Sequence, residues 1–336
     1  MMRFLLQKVF AVLATLMLTS SIHAAADDNK ITIMVSSIEK QIYLPAKLAE
    51  RLGYLKETGL EIELLSTATG SSAEKEMLSG VAQGVIGFYD HTIHLQARGK
   101  LVQSVVQFGQ APGEVMLVSK AAGKSVKSLA DLRNKTLGVT GLGSSTHLLT
   151  QYLLAKAGVK RRDYSVLPVA AGARFIAAIT HGKIDAGMTT EPTLSQLRAS
   201  GAASILVDMR TVSSTEAVLG GPYPGACLYM PTAWIGKNRD SVQKIVNAFV
   251  KTLRFIETHS AAEIAEIMPP EYYGADKKAY IEALEISKRM FTTDGVMPED
   301  GPPTVLRVLQ EFDKVVQGKP INLDNTFTTE FANAAR

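Results

Sequence analysis

The stretch Lys135–Leu149, KTLGVTGLGSSTHLL, decides how the rest of the chain is read. It opens as a short strand, passes through a turn holding Gly141 and Gly143, and continues as a helix that begins with Ser144, Ser145 and Thr146. Strand, glycine turn and helix in that order are half of a β-α-β unit. Glycine lets the backbone come close to a bound molecule, and the first N–H groups of a helix are unpaired and sit at the positive end of its dipole. Hydroxyls at that point can donate to an anion, or one of them can simply cap the helix. The two uses are compatible.

The same unit recurs on both sides. Downstream lie YSVLPVA, ARFIAAITHG, KIDAGMTT, a helix around Leu194–Arg198 and SILVDM. Upstream, ITIMVSS (Ile31–Ser37), LEIELLS (Leu60–Ser66) and GVIGFYD read as strands, separated by the helical LPAKLAERLGYL and AEKEMLSGV. This predicts an α/β protein of two lobes, each a mostly parallel sheet flanked by helices. Two extended apolar segments, GEVMLVSK (Gly113–Lys120) and ACLYMPTAWIG (Ala226–Gly236), are read as hinge strands crossing between the lobes. The lobes then comprise residues 27–117 with 229–336, and residues 118–228. From Arg239 onward the amphipathic helices are expected to cover the first lobe.

The first 26 residues have Arg3 and Lys8, an apolar run from Val9 to Leu18, and Ala24, Ala25 and Ala26 before Asp27 and Asp28. That is the layout of a cleaved secretory signal, too interrupted for a membrane span. Removing it lowers the formal charge from +4 to +2, because two lysine or arginine residues and no acid precede Asp27. A nearly balanced chain is not a nucleic-acid binder, and the basic run Lys160, Arg161, Arg162 reads as a solvated loop. The single cysteine, Cys227, cannot form an intramolecular disulfide, so the fold depends on a core built from its 46% hydrophobic residues. With no cysteine at the cleavage point, lipid anchoring is not expected, and a soluble periplasmic monomer is.

Ligands of open α/β sheets lie beyond the carboxyl ends of the strands. In the first lobe that edge carries Ser36, Ser37, Gln41, Ser71, Ser72, Asp90 and His91; in the second it carries Gly143, Ser144, Ser145, Thr146, Glu191 and Tyr223. Each serine, glycine or aspartate taken singly is ordinary turn chemistry, and Glu191 could equally complement a helix dipole. Their shared edge makes them candidates together. A dinucleotide site is disfavoured, since Thr146 stands at the third glycine position and no acid ends the next strand. His91 and His94 have no third metal ligand at recognisable spacing, and no nucleophile motif is present. No cofactor is expected.

The segments LAERLGYLKETGLEIEL (Leu48–Leu64), SLADLRNKTLGV (Ser128–Val139), HGKIDAGMTTEP (His181–Pro192) and PYPGACLYM (Pro222–Met230) resemble the substrate-binding proteins for nitrate, sulfonates, taurine and thiamine-precursor pyrimidines. The similarity runs in order over nearly the whole chain after the signal. It implies a type II periplasmic-binding-protein fold that closes on its ligand, with an ABC permease and ATPase as partners. It also implies that Gly143–Thr146 receives an anionic group and that Glu191 and Pro192 border the site. Two departures are Asn134, where the family usually has glycine, and Thr190, where an aromatic often precedes the Glu-Pro pair. The cysteine-rich motif of the related pyrimidine-forming enzymes is missing.

The sequence therefore predicts capture of a small, anionic solute for an importer. The alternative is an enzyme on the same fold, dehydratase-like, with Glu191 and His91 or His147 as an acid-base pair. A third reading keeps the binding role and hands the closed form to a receptor.

Overall fold

Runs of apolar residues, some alternating and some buried throughout, form ten strands among the described residues of the computed structural model, which are 30–274 and 276–335. The expected signal segment lies outside those residues. Strands β1 (Lys30–Ser36), β2 (Glu61–Thr67), β3 (Gly84–Phe88) and β4 (Val102–Gln107) come first, followed by β5 (Glu114–Ser119), β6 (Thr136–Val139), β7 (Ser165–Pro168), β8 (Ala186–Thr190) and β9 (Ala203–Met209). The last is β10 (Ala226–Pro231). They make two sheets, ordered β2-β1-β3-β10-β4 and β7-β6-β8-β5-β9.

The two orders follow one pattern, and each sheet has one reversed strand. β1 and β3 are parallel, while β10 runs antiparallel to both β3 and β4. Likewise β6 is parallel to β7 and β8, while β5 runs antiparallel to β8 and β9. The sheets are mixed rather than uniformly parallel, and the reason is topological. β4 ends at the edge facing the other lobe, so the chain enters the second sheet from that edge and runs away from it as β5. The return journey makes β10 the reversed strand of the first sheet in the same way.

This corrects the reading of the hinge segments. β5 belongs wholly to the second sheet and β10 wholly to the first, so the crossings are the short stretches 108–113 and 220–225. The two lie side by side, with Gly225 N–H donating to Gly109 O at 2.9 Å and Gly109 N–H donating to Ala226 O at 2.9 Å. A Cβ on Gly225 would stand 2.6 Å from the carbonyl oxygen of Ala111, so glycine permits the contact.

The helices that matter below are α1 (Leu44–Arg51), α2 (Gly70–Leu78), α3 (Asp90–Ala97), α4 (Ser145–Lys156), α5 (Ala173–Thr180) and α6 (Thr193–Ala199). Toward the end of the chain come α7 (Arg239–Thr258), α8 (Lys277–Ser287) and α9 (Gly301–Phe312). In α7, Val242, Ile245, Val246, Phe249, Val250, Leu253 and Ile256 repeat at helical spacing and are buried against the first lobe. α9 departs from the expectation that the C-terminal helices serve only that lobe. It packs against α4 of the second lobe and α3 of the first.

The α7 stripe supplies a stability test. Phe249 is fully buried and its ring centroid lies 5.1 Å from that of Phe108 under β4. Phe249→Ala should cost about 3–5 kcal/mol in urea unfolding, the usual penalty for deleting a buried phenylalanine. A loss below about 1 kcal/mol would show that α7 contributes little to the core.

Candidate functional site

Because most strands of both sheets end at the edge facing the other lobe, their following loops meet. Ser36 closes β1, Phe88 closes β3 and His91 lies in the first turn of α3. From the second lobe come Glu114, the first residue of β5, and Thr140, Ser144, Ser145 and Thr146 of the glycine turn. These residues, with Lys40, Ile42, Tyr43 and Gly70, enclose one cavity of about 10 Å³, a space near that of a single water. The lobes are therefore closed upon each other. Gln41 N–H donates to Glu191 O at 3.1 Å across the gap, and a Cβ on Gly141 would lie 2.7 Å from Thr69 Cγ2.

The hydroxyls expected to receive an anion are largely turned inward on their own turn. Ser144 Oγ donates to Gly141 O at 2.7 Å, Thr140 Oγ1 donates to Ser144 Oγ at 3.0 Å, and Thr146 Oγ1 accepts from Thr140 N–H at 3.0 Å. Gly143 N–H donates to His147 Nδ1 at 3.0 Å. Ser145 Oγ is the one hydroxyl of the turn with no partner in full hydrogen-bond geometry, and it lies buried close enough to the carboxyls of Asp90 and Glu114 to lower both.

Charge dominates the cavity instead. Asp90, His91 and Glu114 are buried almost completely, and Glu74 nearly so. His91 Nδ1 lies 3.0 Å from Glu74 Oε1, and its Nε2 lies 3.7 Å from Asp90 Oδ1. Tyr223 donates its hydroxyl proton to Asp90 Oδ2 at 3.1 Å. Asp90 Oδ1, Glu114 Oε2 and His91 Nε2 nevertheless have no hydrogen bond among the described residues. A buried polar atom without a partner costs about 1–3 kcal/mol, so such a concentration is not neutral packing.

Desolvation raises the carboxyls of Asp90 and Glu114 above the ordinary range; His91 opposes this at Asp90, and Lys40 opposes it at Glu114. Burial pulls His91 down, but Glu74, Asp90 and Glu114 together outweigh it and lift the imidazole to about 9. Lys40 is lowered by burial, against the attraction of Glu114 and Glu39.

Of the candidates named from the sequence, the structure brings Ser36, His91, Ser144, Ser145 and Thr146 to the cavity wall, with Asp90 and Tyr223 directly behind His91. Ser37 Oγ donates to Ala68 O at 3.0 Å, and Ser71 and Ser72 both hydrogen-bond Thr69 Oγ1, which caps α2. Gly143 sits beside Ser71 with a positive φ of 82°. Gln41 is spent on α8, its amide donating to Tyr280 O and accepting from Ser287 Oγ. Glu191 is likewise engaged, accepting from Ser195 N–H at 3.0 Å and from Arg210 Nη1 at 3.2 Å. Its dipole-complementing role is the one the geometry shows, and no acid-base pair with His91 or His147 is assembled around it. Sequence reasoning missed Lys40, Tyr43, Glu74, Glu114 and Thr140. Glu114 lies inside the segment read as a crossing, and its place at the cleft follows only once the crossing is set at 108–113.

Comparison with known proteins agrees with this architecture. Residues 43–262 match the family model described as NMT1/THI5 like. The chain is 22% identical over 287 residues, 83% of each chain, to YtlA of Bacillus subtilis, which is named as a binding protein. It is 29% identical over 163 residues to the 4-amino-5-hydroxymethyl-2-methylpyrimidine phosphate synthase THI13 of Saccharomyces cerevisiae, spanning 48% of this chain and 46% of that one. Among solved structures, a Bordetella bronchiseptica protein is 35% identical with a TM-score of 0.87, covering 92% of this chain and 97% of that one. The periplasmic nitrate-binding protein NrtA of Synechocystis has a TM-score of 0.71 at 12% identity, covering 91% and 88%. The ligand-binding component of an ABC-type import system of Staphylococcus aureus has 0.69 at 13%, covering 92% and 99%. The fold is that of the periplasmic binding proteins. No helix among the described residues is long and apolar enough to cross a membrane.

Two measurements test this geometry. Gly141→Val should hold the lobes apart, because overpacking costs about 1–3 kcal/mol; small-angle scattering should show a larger radius of gyration than wild type, and an unchanged radius would mean that the turn yields freely. The imidazole of His91 binds its proton more tightly folded than unfolded. It therefore adds stability present in full below about 6.5, the free value, and lost as pH rises through about 9. The melting temperature of wild type should fall more steeply from pH 7 to 9.5 than that of His91→Gln; parallel curves would refute the lifted imidazole.

Proposed function

The chain belongs to the NMT1/THI5-like family, and from that premise we propose that it is the solute-binding component of an ABC-type importer, working in the periplasm with a permease and an ATPase. A small molecule enters between the separated lobes, and closure buries it. Two lobes that meet around a lining of buried polar atoms without partners support this reading. The short paired crossings at 108–113 and 220–225 provide the hinge.

The lining speaks to the solute as well. Glu114 brings to the cavity wall a carboxyl oxygen that has no donor, Asp90 behind His91 holds another, and the hydroxyls of the glycine turn are mostly satisfied. That chemistry favours a head rich in N–H groups, such as an amine, amidine or aminopyrimidine, over the simple anion expected from the turn alone. The pyrimidine in the name of the yeast synthase points the same way.

Stripped of bound molecules by unfolding and refolding, the protein should be stabilised by about 2.7 kcal/mol when a true solute is present at 100 times its Kd. Melting temperatures with nitrate, sulfonates, carboxylates, amines, amidines and aminopyrimidines separate the classes. The expected result is a shift with an N–H-rich compound recovered unchanged, and a loss of about tenfold or more in affinity in Asp90→Asn and Glu114→Gln. Consumption of the compound would overturn the transport reading in favour of an enzyme. A shift confined to anions would keep the binding role and overturn the head-group chemistry.

A further inference from the structure

Lys40 is the least explained charge in the molecule. It follows β1 in the first lobe and is only 5% exposed. Among the described residues its ammonium has neither a hydrogen bond nor an ion pair within 4.0 Å; the ring of Tyr43 lies 5.8 Å away, and the carboxylates of Glu114 and Glu39 act on it from farther than an ion-pair distance. An ammonium on a side chain this deeply placed, with no protein acceptor, is stabilised by any group that supplies one.

Its position suggests what that is. Lys40 lines the inner cavity and also a second, outer cavity of about 330 Å³. Both lobes form this vestibule. The first gives Glu39, Glu271, Tyr272 and Gly274, and the second gives Ala171–Ala173, Ile176, Pro192, Thr193 and Gln196. The start of α5 opens onto it. Gly172, at φ 61°, provides no side-chain cap, and the first helical bond runs from Ile176 N–H to Gly172 O. The N–H groups of Ala173, Arg174 and Phe175 are therefore left at the positive end of the helix dipole. On the facing wall Tyr272, only 4% exposed, has a hydroxyl with no partner.

We propose that this vestibule is an outer subsite for a single oxyanion group, a carboxylate or sulfonate, carried on a solute whose N–H-rich head lies in the inner cavity, with Lys40 at the partition between them. The proposal rests on the head-group chemistry given above. Glu39 and Glu271 in the lining repel any anion, and a phosphate dianion about twice as strongly as a monoanion, so a monoanion suits the place better. The solute is then bipartite, and the hydroxyls and dipole that suggested an anion from the sequence are replaced by a different helix start, that of α5.

The test compares 4-aminopyrimidine with its 5-carboxymethyl derivative by isothermal titration against the refolded full protein. The carboxylate should improve Kd at least tenfold. In Lys40→Met that ratio should collapse towards one, whatever happens to either absolute affinity, and Lys40→Arg should restore it. Equal binding of the two compounds by wild type, or a ratio unchanged in Lys40→Met, overturns the outer subsite while leaving the head-group reading intact. Binding of neither compound overturns both.

Discussion

The requirement that the chain pass twice between two sheets, each time at their facing edges, shapes everything else. A strand that arrives at that edge must run away from it, which is why β5 and β10 are reversed within otherwise co-directional sheets. The same rule delivers the first residue of a reversed strand to the cleft. Glu114 is there for that reason, and its carboxyl is buried because the opposite lobe closes over it.

Closure in turn depends on charges that neither lobe can satisfy alone. Glu114 belongs to the second lobe, while Lys40, Asp90 and His91 belong to the first, and all three shift the protonation of Glu114 across a gap with room for about one water. Within a low-dielectric gap such groups interact strongly and are expensive when unpaired. A solute that provides the missing partners converts this expense into affinity, and one that does not leaves it in place. Selectivity of this kind comes from unmet polar groups more than from shape.

Much of this was legible in the sequence. The repeated strand-turn-helix order gave two lobes, and strand ends rich in serine, aspartate and histidine located Ser36, His91 and Ser144–Thr146 at the cleft. What stayed hidden has a common physical origin. Periodicity says which face of a strand is buried but not where a long side chain in a turn will reach, so Lys40 and Tyr43 carried no signal. Glu74 lies one turn inside α2, where a charged residue ordinarily faces solvent. Gln41 and Glu191 were placed at the right edge, yet their side chains turn to α8 and to Arg210, and only packing decides that. GEVMLVSK and ACLYMPTAWIG read as crossings from the sequence because a fully buried strand and a bridging one have the same apolar composition.

The helix α9 touches both lobes, through α3 and α4, far along the chain from either crossing. Two short antiparallel crossings by themselves would let the lobes both bend and twist relative to each other. A third point of attachment off their line removes the twist and leaves one degree of freedom. Any opening would then follow one arc, like a door on its frame. A membrane partner that reads the distance between the two lobes would receive a two-valued signal, and the packing of Val305, Val308 and Leu309 in α9 would set how wide the open value is.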